Sequence, residues 1–268
     1  METPSAPISP LSPEARFRTL LPQRLELAAI LRHLPLSKLP RMACLDVGMP
    51  NPFLSRQLRA HGGAWRTIAR SPARAKEAAE FLGEETHCLG ADGTIPFEAH
   101  VFDCVVVAEG MLSALPDPEA FVKECNRVLR TSGILVLSAV ARRPFSLLGA
   151  LRGPADRARP ETVSFSESDL YQLLKNGFDV DSLDSYCRFF SEWVRLRAAA
   201  RARNGAPTPA ARLRRRYAVA SVLDRLAFWT RGNVIALSAR RRQWSRRSTP
   251  VLTDGRKIGE AVLFNPPV

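Results

Sequence analysis

The stretch that decides the fold is MACLDVGMPNP, residues 42–52, in which a short apolar run ends at an aspartate and a glycine. Such a run, followed by turn-forming residues, predicts a buried β-strand and a tight loop. Asn51 can cap a following helix and Pro52 suits its first position, so FLSRQLRAHGG (53–63) is predicted to be a helix that Gly62 ends. A strand, a glycine loop and a helix are the opening unit of a parallel α/β sheet.

The same alternation continues toward the C-terminus, and residues 14–34 add an earlier segment with apolar residues at helical spacing. Near-continuous apolar strands, of which FDCVVVAE is the clearest, are typical of a parallel sheet covered by helices on both faces. Further strands are predicted at 65–69, 86–90, 102–109, 133–140, 178–190 and 233–239, and helices at 71–83, 116–130 and 164–178. Helix caps are predicted at Ser71 and Gly83, and a capping box at Ser166 and Asp169.

Length and composition predict one domain of 13–243, preceded by a disordered Pro- and Ser-rich tail of 1–12 and followed by a C-terminal extension of 244–268. Residues 142–163 look irregular. The chain has 46% hydrophobic residues, enough for a sizeable core. It has no signal-peptide pattern and no apolar run near the roughly 20 residues of a spanning helix. We therefore expect a cytoplasmic protein that is at most peripheral at the inner membrane face.

Neither the cysteines nor the histidines form a recognisable site. The five cysteines are dispersed without a CxxC pair, which predicts reduced thiols and neither disulfides nor a metal site. The four histidines are isolated, so no catalytic residue is assigned.

Several short strings, in order, resemble class I S-adenosylmethionine-dependent methyltransferases of the type-11 domain group. The resemblance covers about residues 25–240, and each string alone is weak evidence. The strings are Leu45-Asp46-Val47-Gly48, then Ile95-Pro96-Phe97 with Phe102-Asp103-Cys104-Val105, then Leu115-Pro116-Asp117-Pro118, Arg127-Val128-Leu129 with Gly133, and finally SESDL at 166–170.

The resemblance implies an α/β, Rossmann-like class I methyltransferase fold, with a seven-stranded, mostly parallel sheet whose last strand is antiparallel and a helical insertion before that strand. It also implies S-adenosyl-L-methionine as the cofactor, bound beyond the carboxyl ends of the strands. The residues that match the family's cofactor positions are Asp46, Gly48, Asp92 and Glu109. For Asp46, fixing the loop through backbone N–H groups is an equal alternative, and for Glu109 a solvated loop carboxylate is.

The cofactor loop departs from the family pattern of Gly-x-Gly-x-Gly, because Pro50 and Pro52 stand at the second and third glycine positions. Each proline fixes φ near −65° and removes a backbone donor, so the loop becomes stiffer and bulkier. The family also ends its second strand with a carboxylate for the ribose hydroxyls, where this chain has Ala69. The adenine-side aspartate position falls on Ala91, so that Asp92 matches it only with a one-residue shift.

The net charge of +13 belongs to one segment. Residues 188–247 contain 16 arginines and two acids, whereas the rest of the chain is nearly neutral. Two helices are predicted there, at 188–203 and 208–230. The favoured interpretation is that their aromatic stripes pack on the sheet. The alternatives are an interfacial pair that contacts an anionic membrane and a nucleic-acid surface, which no recognised motif supports.

Two functions follow from these patterns. The first is a methyltransferase acting on a small-molecule or lipid- or glycan-linked acceptor, for which no metal is required. The second is a catalytically inactive relative that keeps the fold as a binding or scaffold protein, docking to an anionic membrane through its basic helices. The family resemblance and the intact fourth-strand region favour the first, which is the function we predict. The two loop prolines and Ala69 are the basis of the second.

Overall fold

A computed structural model describes residues 12–142, 164–227 and 229–244. The predictions for the N-terminal tail, for most of 142–163 and for nearly all of the C-terminal extension fall outside these residues. The described part contains a seven-stranded sheet of order β3-β2-β1-β4-β5-β7-β6. All neighbouring strands are parallel except β7, which is antiparallel to β5 and β6. The strands are β1 (Ala43–Val47), β2 (Ala64–Ala69), β3 (Thr86–Cys88), β4 (Phe102–Val107), β5 (Leu129–Val140), β6 (Phe178–Tyr186) and β7 (Val234–Arg241).

The predicted helices are present, with one division that the spacing did not indicate. The helical pattern over 14–34 forms two helices, because Leu20 is extended and Pro22 lies in the first turn of the second helix, where proline is tolerated. The helices are α1 (Pro13–Thr19), α2 (Leu21–His33), α3 (Pro52–Arg59), α4 (Pro72–Leu82), α5 (Pro118–Val128), α6 (Glu167–Leu174), α7 (Phe189–Arg203) and α8 (Ala210–Leu226).

Most of the predicted caps form. The Asn51 side chain accepts a hydrogen bond from the Phe53 backbone N–H at 3.1 Å, and Gly83 ends α4 in the left-handed conformation. Ser166 and Asp169 make the reciprocal capping box of α6. Ser71 occupies the N-cap position of α4, but its side chain makes no capping hydrogen bond. The local signals therefore fixed most helix ends.

Strand residues alternate between two cores on opposite faces of the sheet. On one face Leu45 and Val105 pack with α5 and α6, for example against Phe121. On the other face Cys44 and Cys104 pack with Ile30 and Leu58, from α2 and α3. The sheet is thus buried on both sides, as the apolar strands predict.

The helical pair α7 and α8 packs on the N-terminal helices, and the prediction that its aromatic stripes pack on the sheet is wrong. Val194, Leu213 and Tyr217 form a small core with Leu21 of α2. The reason is that α2 already covers this part of the sheet, through contacts with β5, β6 and β7. No helix in the described residues is long and apolar enough to cross a membrane.

Candidate functional site

The loops after β1 and β4 leave the sheet side by side. Val47 and Val107 are paired in the parallel register, and the Ala108 N–H donates to the Val47 carbonyl at 3.0 Å. Gly48 and Glu109, the next residues, therefore start loops at the same carboxyl edge. In open α/β sheets this edge is where ligands bind.

Gly48 must be glycine for two reasons. Its φ is +72°, in the left-handed region, and a Cβ there would lie 2.5 Å from Sδ of Met111. The Met111 side chain is buried and occupies the space that Gly48 faces. The loop thus keeps the backbone conformation of the first family glycine, while a methionine fills the space beside it.

The next part of this loop is tied to the N-terminal helices. Asn51 is fully buried, and its amide nitrogen donates to the Pro13 carbonyl at 2.8 Å and to Oε1 of Gln23 at 2.9 Å. Asn51 also has the extended conformation expected of a residue before proline. The loop is therefore rigid in the way that Pro50 and Pro52 predict, and α1 and α2 are attached to it.

Asp46 is fully buried, and other side chains supply the hydrogen bonds and the ion pair of its carboxylate. Its carboxylate accepts hydrogen bonds from Ser55 at 3.0 Å and Thr67 at 2.9 Å, and pairs with Arg59 at 3.1 Å. Burial raises the pKa of Asp46, and the Arg59 guanidinium opposes this shift. The structure therefore places Asp46 as a link between β1, α3 and β2 through side chains, and not through backbone N–H groups.

The side chain of Asp92 is exposed and makes hydrogen bonds within its own loop. It accepts hydrogen bonds from the Thr94 N–H at 3.0 Å and the Thr94 hydroxyl at 2.7 Å, and these lower the pKa of Asp92. At the neighbouring strand, β2 ends at Ala69, whose carbonyl accepts from Leu89 N–H at 3.0 Å. Because β2 ends at Ala69, no carboxylate stands at the last position of this strand, as the sequence predicts.

Glu109 lies in a cluster of charged residues from three parts of the chain. Its side chain is 13% exposed and pairs with Arg195 of α7 at 3.2 Å, while Arg195 also pairs with the buried Glu192 at 2.7 Å. The Glu109 backbone N–H donates to Oε1 of Glu26, on α2, at 2.8 Å. Glu109 is therefore not the solvated carboxylate of the alternative interpretation.

The ionisation of the cluster follows from its burial. Burial and the Glu109 charge raise the pKa of Glu26 to about 8, although the Glu109 N–H and Arg195 act in the opposite direction. Burial also raises the pKa of Glu109, against the attraction of Arg195. The Glu192 and Glu109 carboxylates hold the pKa of Arg195 well above its usual value, although burial alone would lower it. A pKa of about 8 leaves Glu26 mostly protonated near neutral pH, beside the ion pairs of Arg195 with Glu109 and Glu192.

These groups face a cavity of about 420 Å³ between α2, α7 and α8. Glu26, Glu109 and Arg195 supply its charges, and Pro50 brings the cofactor loop into its wall. The remaining lining is largely apolar and includes Leu20, Pro22, Ala198, Leu213 and Tyr217. A cavity of this size with a few convergent charges is typical of a small-molecule site.

Sequence reasoning missed Glu26 and Arg195. Glu26 lies on the buried stripe of α2 together with Pro22, Ala29 and Ile30, so a carboxylate at an apolar helical position was the available signal. Arg195 carried no signal of its own, because it is one of many arginines in its segment. The structure brings Glu109 together with both residues, and leaves Asp46 and Asp92 outside the cavity lining.

Within 12–142, 164–227 and 229–244, no group of three or more histidines, cysteines, aspartates or glutamates is arranged to hold a metal ion.

Residues 45–137 match the family model described as a methyltransferase domain. The chain is 27% identical over 114 residues to the ubiquinone biosynthesis O-methyltransferase of Neisseria meningitidis, an alignment that covers 39% of this chain and 46% of that protein. The chain thus spans about half the length of the curated relatives it matches.

Solved structures share the fold over most of the chain. An S-adenosylmethionine-dependent methyltransferase from Mesorhizobium loti aligns with a TM-score of 0.52 and 15% identity, covering 80% of this chain and 96% of that one. The [4+2]-cyclase SpnF aligns with a TM-score of 0.55 and 20% identity, covering 80% and 79%. The fold is that of class I methyltransferases, and residues 45–137 match a methyltransferase domain. The cyclase shows that this fold can also serve another reaction.

The site fits one end of S-adenosylmethionine better than the other. The methionine end carries a carboxylate, an ammonium and a sulfonium, for which Arg195 and Glu109 supply opposite charges. At the position where the family has its ribose-binding carboxylate, this chain has Ala69, whose side chain cannot accept hydrogen bonds. In the cofactor loop, Met111 fills the space next to Gly48.

Proposed function

We propose that this chain, whose fold is that of class I methyltransferases, transfers a methyl group from S-adenosylmethionine to an acceptor in the cavity between α2, α7 and α8. The observation that carries the proposal is the charged cluster of Glu26, Glu109 and Arg195 beside Pro50, at the carboxyl edge of β1 and β4. When bound, the cofactor supplies an electrophilic methyl group on a sulfonium. The residues of the chain would have to align the cofactor with the acceptor and to pair with the charged groups of the cofactor.

Arg195 and Glu109 have complementary roles in this proposal. The guanidinium of Arg195 would hold the cofactor's carboxylate, and the Glu109 carboxylate its ammonium. Gly48 would give the loop its left-handed turn, which a residue with a side chain would adopt only with strain. Asp46, at the end of β1 just before that loop, links the strand to α3 and β2 through Ser55, Thr67 and Arg59. Asp92 would reach a ligand only from the solvent side of its loop.

Glu26 is suited to handle the acceptor's proton. Methyl transfer depends mainly on alignment of the two reactants, but a hydroxyl acceptor must also lose its proton. A buried carboxylate with a pKa of about 8 is a stronger base than an ordinary glutamate and is partly ionised near neutral pH. We therefore assign to a Glu26 carboxylate oxygen the proton released by the acceptor.

The acceptor we propose is a small, largely apolar molecule with a hydroxyl group, free or lipid- or glycan-linked. The apolar lining of the cavity favours a molecule with little charge. The name of the Neisseria relative, ubiquinone biosynthesis O-methyltransferase, favours an oxygen acceptor.

A calorimetric titration of the full chain with S-adenosylhomocysteine tests the cofactor site. We expect saturable heat, and an affinity about tenfold lower for Arg195→Gln and for Glu109→Gln, since each removes a charge-assisted contact. Arg66→Gln and Glu98→Gln, at exposed positions outside the cavity, are the matched controls and should bind like the unmodified protein. No heat at millimolar ligand would contradict the proposal.

A non-catalytic relative is the second candidate. It is favoured by Met111 filling the space beside Gly48 and by Ala69 at the end of β2. In that case the cavity would bind some other small molecule, and S-adenosylhomocysteine would neither release heat nor raise the melting temperature.

A further inference from the structure

Helix α8 has two apolar faces, and only one of them is covered. The inward face carries Leu213, Tyr217 and Ala220, all buried against α7 and the N-terminal helices. The opposite face carries Val219, Val222 and Leu226, which are 61%, 54% and 64% exposed. Their spacing of three and four residues places them in one stripe. Trp229, just beyond the helix, is 72% exposed.

Exposed arginines continue this outer face toward the start of α8. Arg212 and Arg215 lie on the same side as the stripe by helical spacing, with Arg214 and Arg225 beside it. None of the ion pairs formed within the described residues involves these four arginines. By contrast, Arg59 and Arg195 are paired with buried carboxylates. The outer face of α8 therefore combines uncovered apolar side chains with uncompensated positive charge.

A groove of about 600 Å³ continues the outer face between α8 and α7. Trp193, Val219 and Leu223 give it apolar walls, and Arg201 and Arg215 are among the arginines that line it. The Arg197 guanidinium lies over the Trp193 ring at 5.2 Å from the centroid, which keeps the ring in place at the surface.

The two helices hold this surface in a fixed shape. The buried carboxylate of Asp224 on α8 accepts hydrogen bonds from the Phe190 and Ser191 backbone N–H groups at 2.9 and 3.1 Å, and from the Ser191 hydroxyl at 2.5 Å. Arg188 returns a hydrogen bond to the Asp224 carbonyl at 3.0 Å. The first turn of α7 is thus capped from α8, so the surface is already formed before any partner arrives.

We infer that this outer face of α7 and α8 docks the protein on an anionic lipid bilayer. Exposed aliphatic and tryptophan side chains suit the boundary between headgroups and acyl chains, and the flanking arginines suit anionic headgroups. A nucleic acid would also attract the arginines, but it would leave the aliphatic stripe in water. The proposal concerns a different surface from the cavity and does not depend on methyl transfer.

Vesicle sedimentation tests the inference with the full chain. The protein is mixed with vesicles of phosphatidylcholine alone, and with vesicles of equal parts phosphatidylcholine and phosphatidylglycerol. We expect affinity for the anionic vesicles to be at least about tenfold higher, and to fall as salt screens the arginines. Negligible binding to both kinds of vesicle would overturn the inference, and so would equal binding to both.

Two pairs of variants separate the parts of the surface. Val222→Ser with Leu226→Ser should weaken vesicle binding at least about fivefold, and Arg212→Gln with Arg215→Gln should remove the preference for anionic lipid. The apolar control is Leu36→Ser with Tyr171→Ser, two other exposed hydrophobic positions. The charge control is Arg24→Gln with Arg66→Gln, both exposed. The controls should bind vesicles like the unmodified protein.

A single-stranded RNA oligonucleotide provides the competing outcome. If RNA displaces the protein from anionic vesicles, and the Val222 and Leu226 changes leave vesicle binding intact, the arginines act as a general polyanion site. That result would overturn membrane docking. Circular dichroism spectra that match the unmodified protein ensure that a loss of binding in any variant reports the surface and not unfolding.

Discussion

The backbone N–H of Glu109 donates a 2.8 Å hydrogen bond to the carboxylate of Glu26. This contact joins the loop after β4 to α2, a helix that precedes the cofactor loop in the sequence. It also buries a carboxylate that has no cation of its own, because Arg195 is shared between Glu109 and Glu192. The chain thus keeps a titratable carboxyl group at the wall of a cavity, where burial penalises its charged form, and this is more typical of a functional site than of a core.

The first prediction concerns stability against pH. Glu26 has a pKa of about 8 in the folded protein and an ordinary value of 4.5 when unfolded. A raised pKa gives stability that is fully present below 4.5 and is lost as pH rises through about 8. Glu26→Gln keeps the acceptor for the Glu109 N–H without the charge, so its stability should decline less over this range, by up to a few kcal/mol.

Urea unfolding at a series of pH values measures this difference. Glu98→Gln, at an exposed position, is the control and should follow the unmodified protein. Parallel stability curves for the unmodified protein and Glu26→Gln would mean that Glu26 is ionised at neutral pH.

The second prediction separates the two loop prolines. Pro50 lines the cavity, whereas Pro52 is buried in the first turn of α3. Pro50→Gly removes bulk and restores a backbone donor, and should tighten S-adenosylhomocysteine binding several-fold. Pro52→Gly should instead lower stability by about 1 kcal/mol, because it loosens a preorganised helix start. Calorimetry and thermal unfolding of both variants decide the matter; equal affinity in all three proteins would show that Pro50 does not restrict the site.

The third prediction tests why Gly48 is glycine. Gly83 has nearly the same φ, +70°, with nothing near its missing Cβ, whereas a Cβ on Gly48 would meet Met111. Gly83→Ala should therefore cost about 1 kcal/mol of unfolding free energy for the left-handed backbone alone. Gly48→Ala should cost about 1–3 kcal/mol more, for the steric conflict. The double variant with Met111→Ala should recover part of that excess; if it does not, the conflict lies elsewhere.

The fourth prediction concerns Asp46, which is fully buried between Arg59, Thr67 and Ser55. Asp46→Asn leaves the Arg59 guanidinium without its buried partner and should cost about 3 kcal/mol. Since Asp46 does not line the cavity, the affinity of the folded variant for S-adenosylhomocysteine should stay unchanged. Guanidinium unfolding and calorimetry measure the two effects separately. A tenfold loss of affinity with normal stability would place Asp46 in direct contact with the ligand.

The fold was largely predictable from local sequence. Apolar runs such as VVV at 105–107 and caps such as Asn51 act over a few residues, so their structural consequences can be read without knowing what lies nearby. The ordered family strings added the antiparallel last strand. The split of the N-terminal helix at Leu20 was missed, although Pro22 was a local signal for it, because proline is tolerated only in the first turn of a helix.

The sequence alone determined the parallel sheet, the stiff proline loop and the missing carboxylate at Ala69, since each depends on residue type and short spacing. The tertiary structure decided which charges meet. It separated Asp46 and Asp92 from the cavity, brought Glu26 and Arg195 to Glu109 across long stretches of chain, and left one apolar stripe of α8 uncovered. Burial and ion pairing depend on which elements pack together, and α7 and α8 pack on α2 because α2 already covers that face of the sheet.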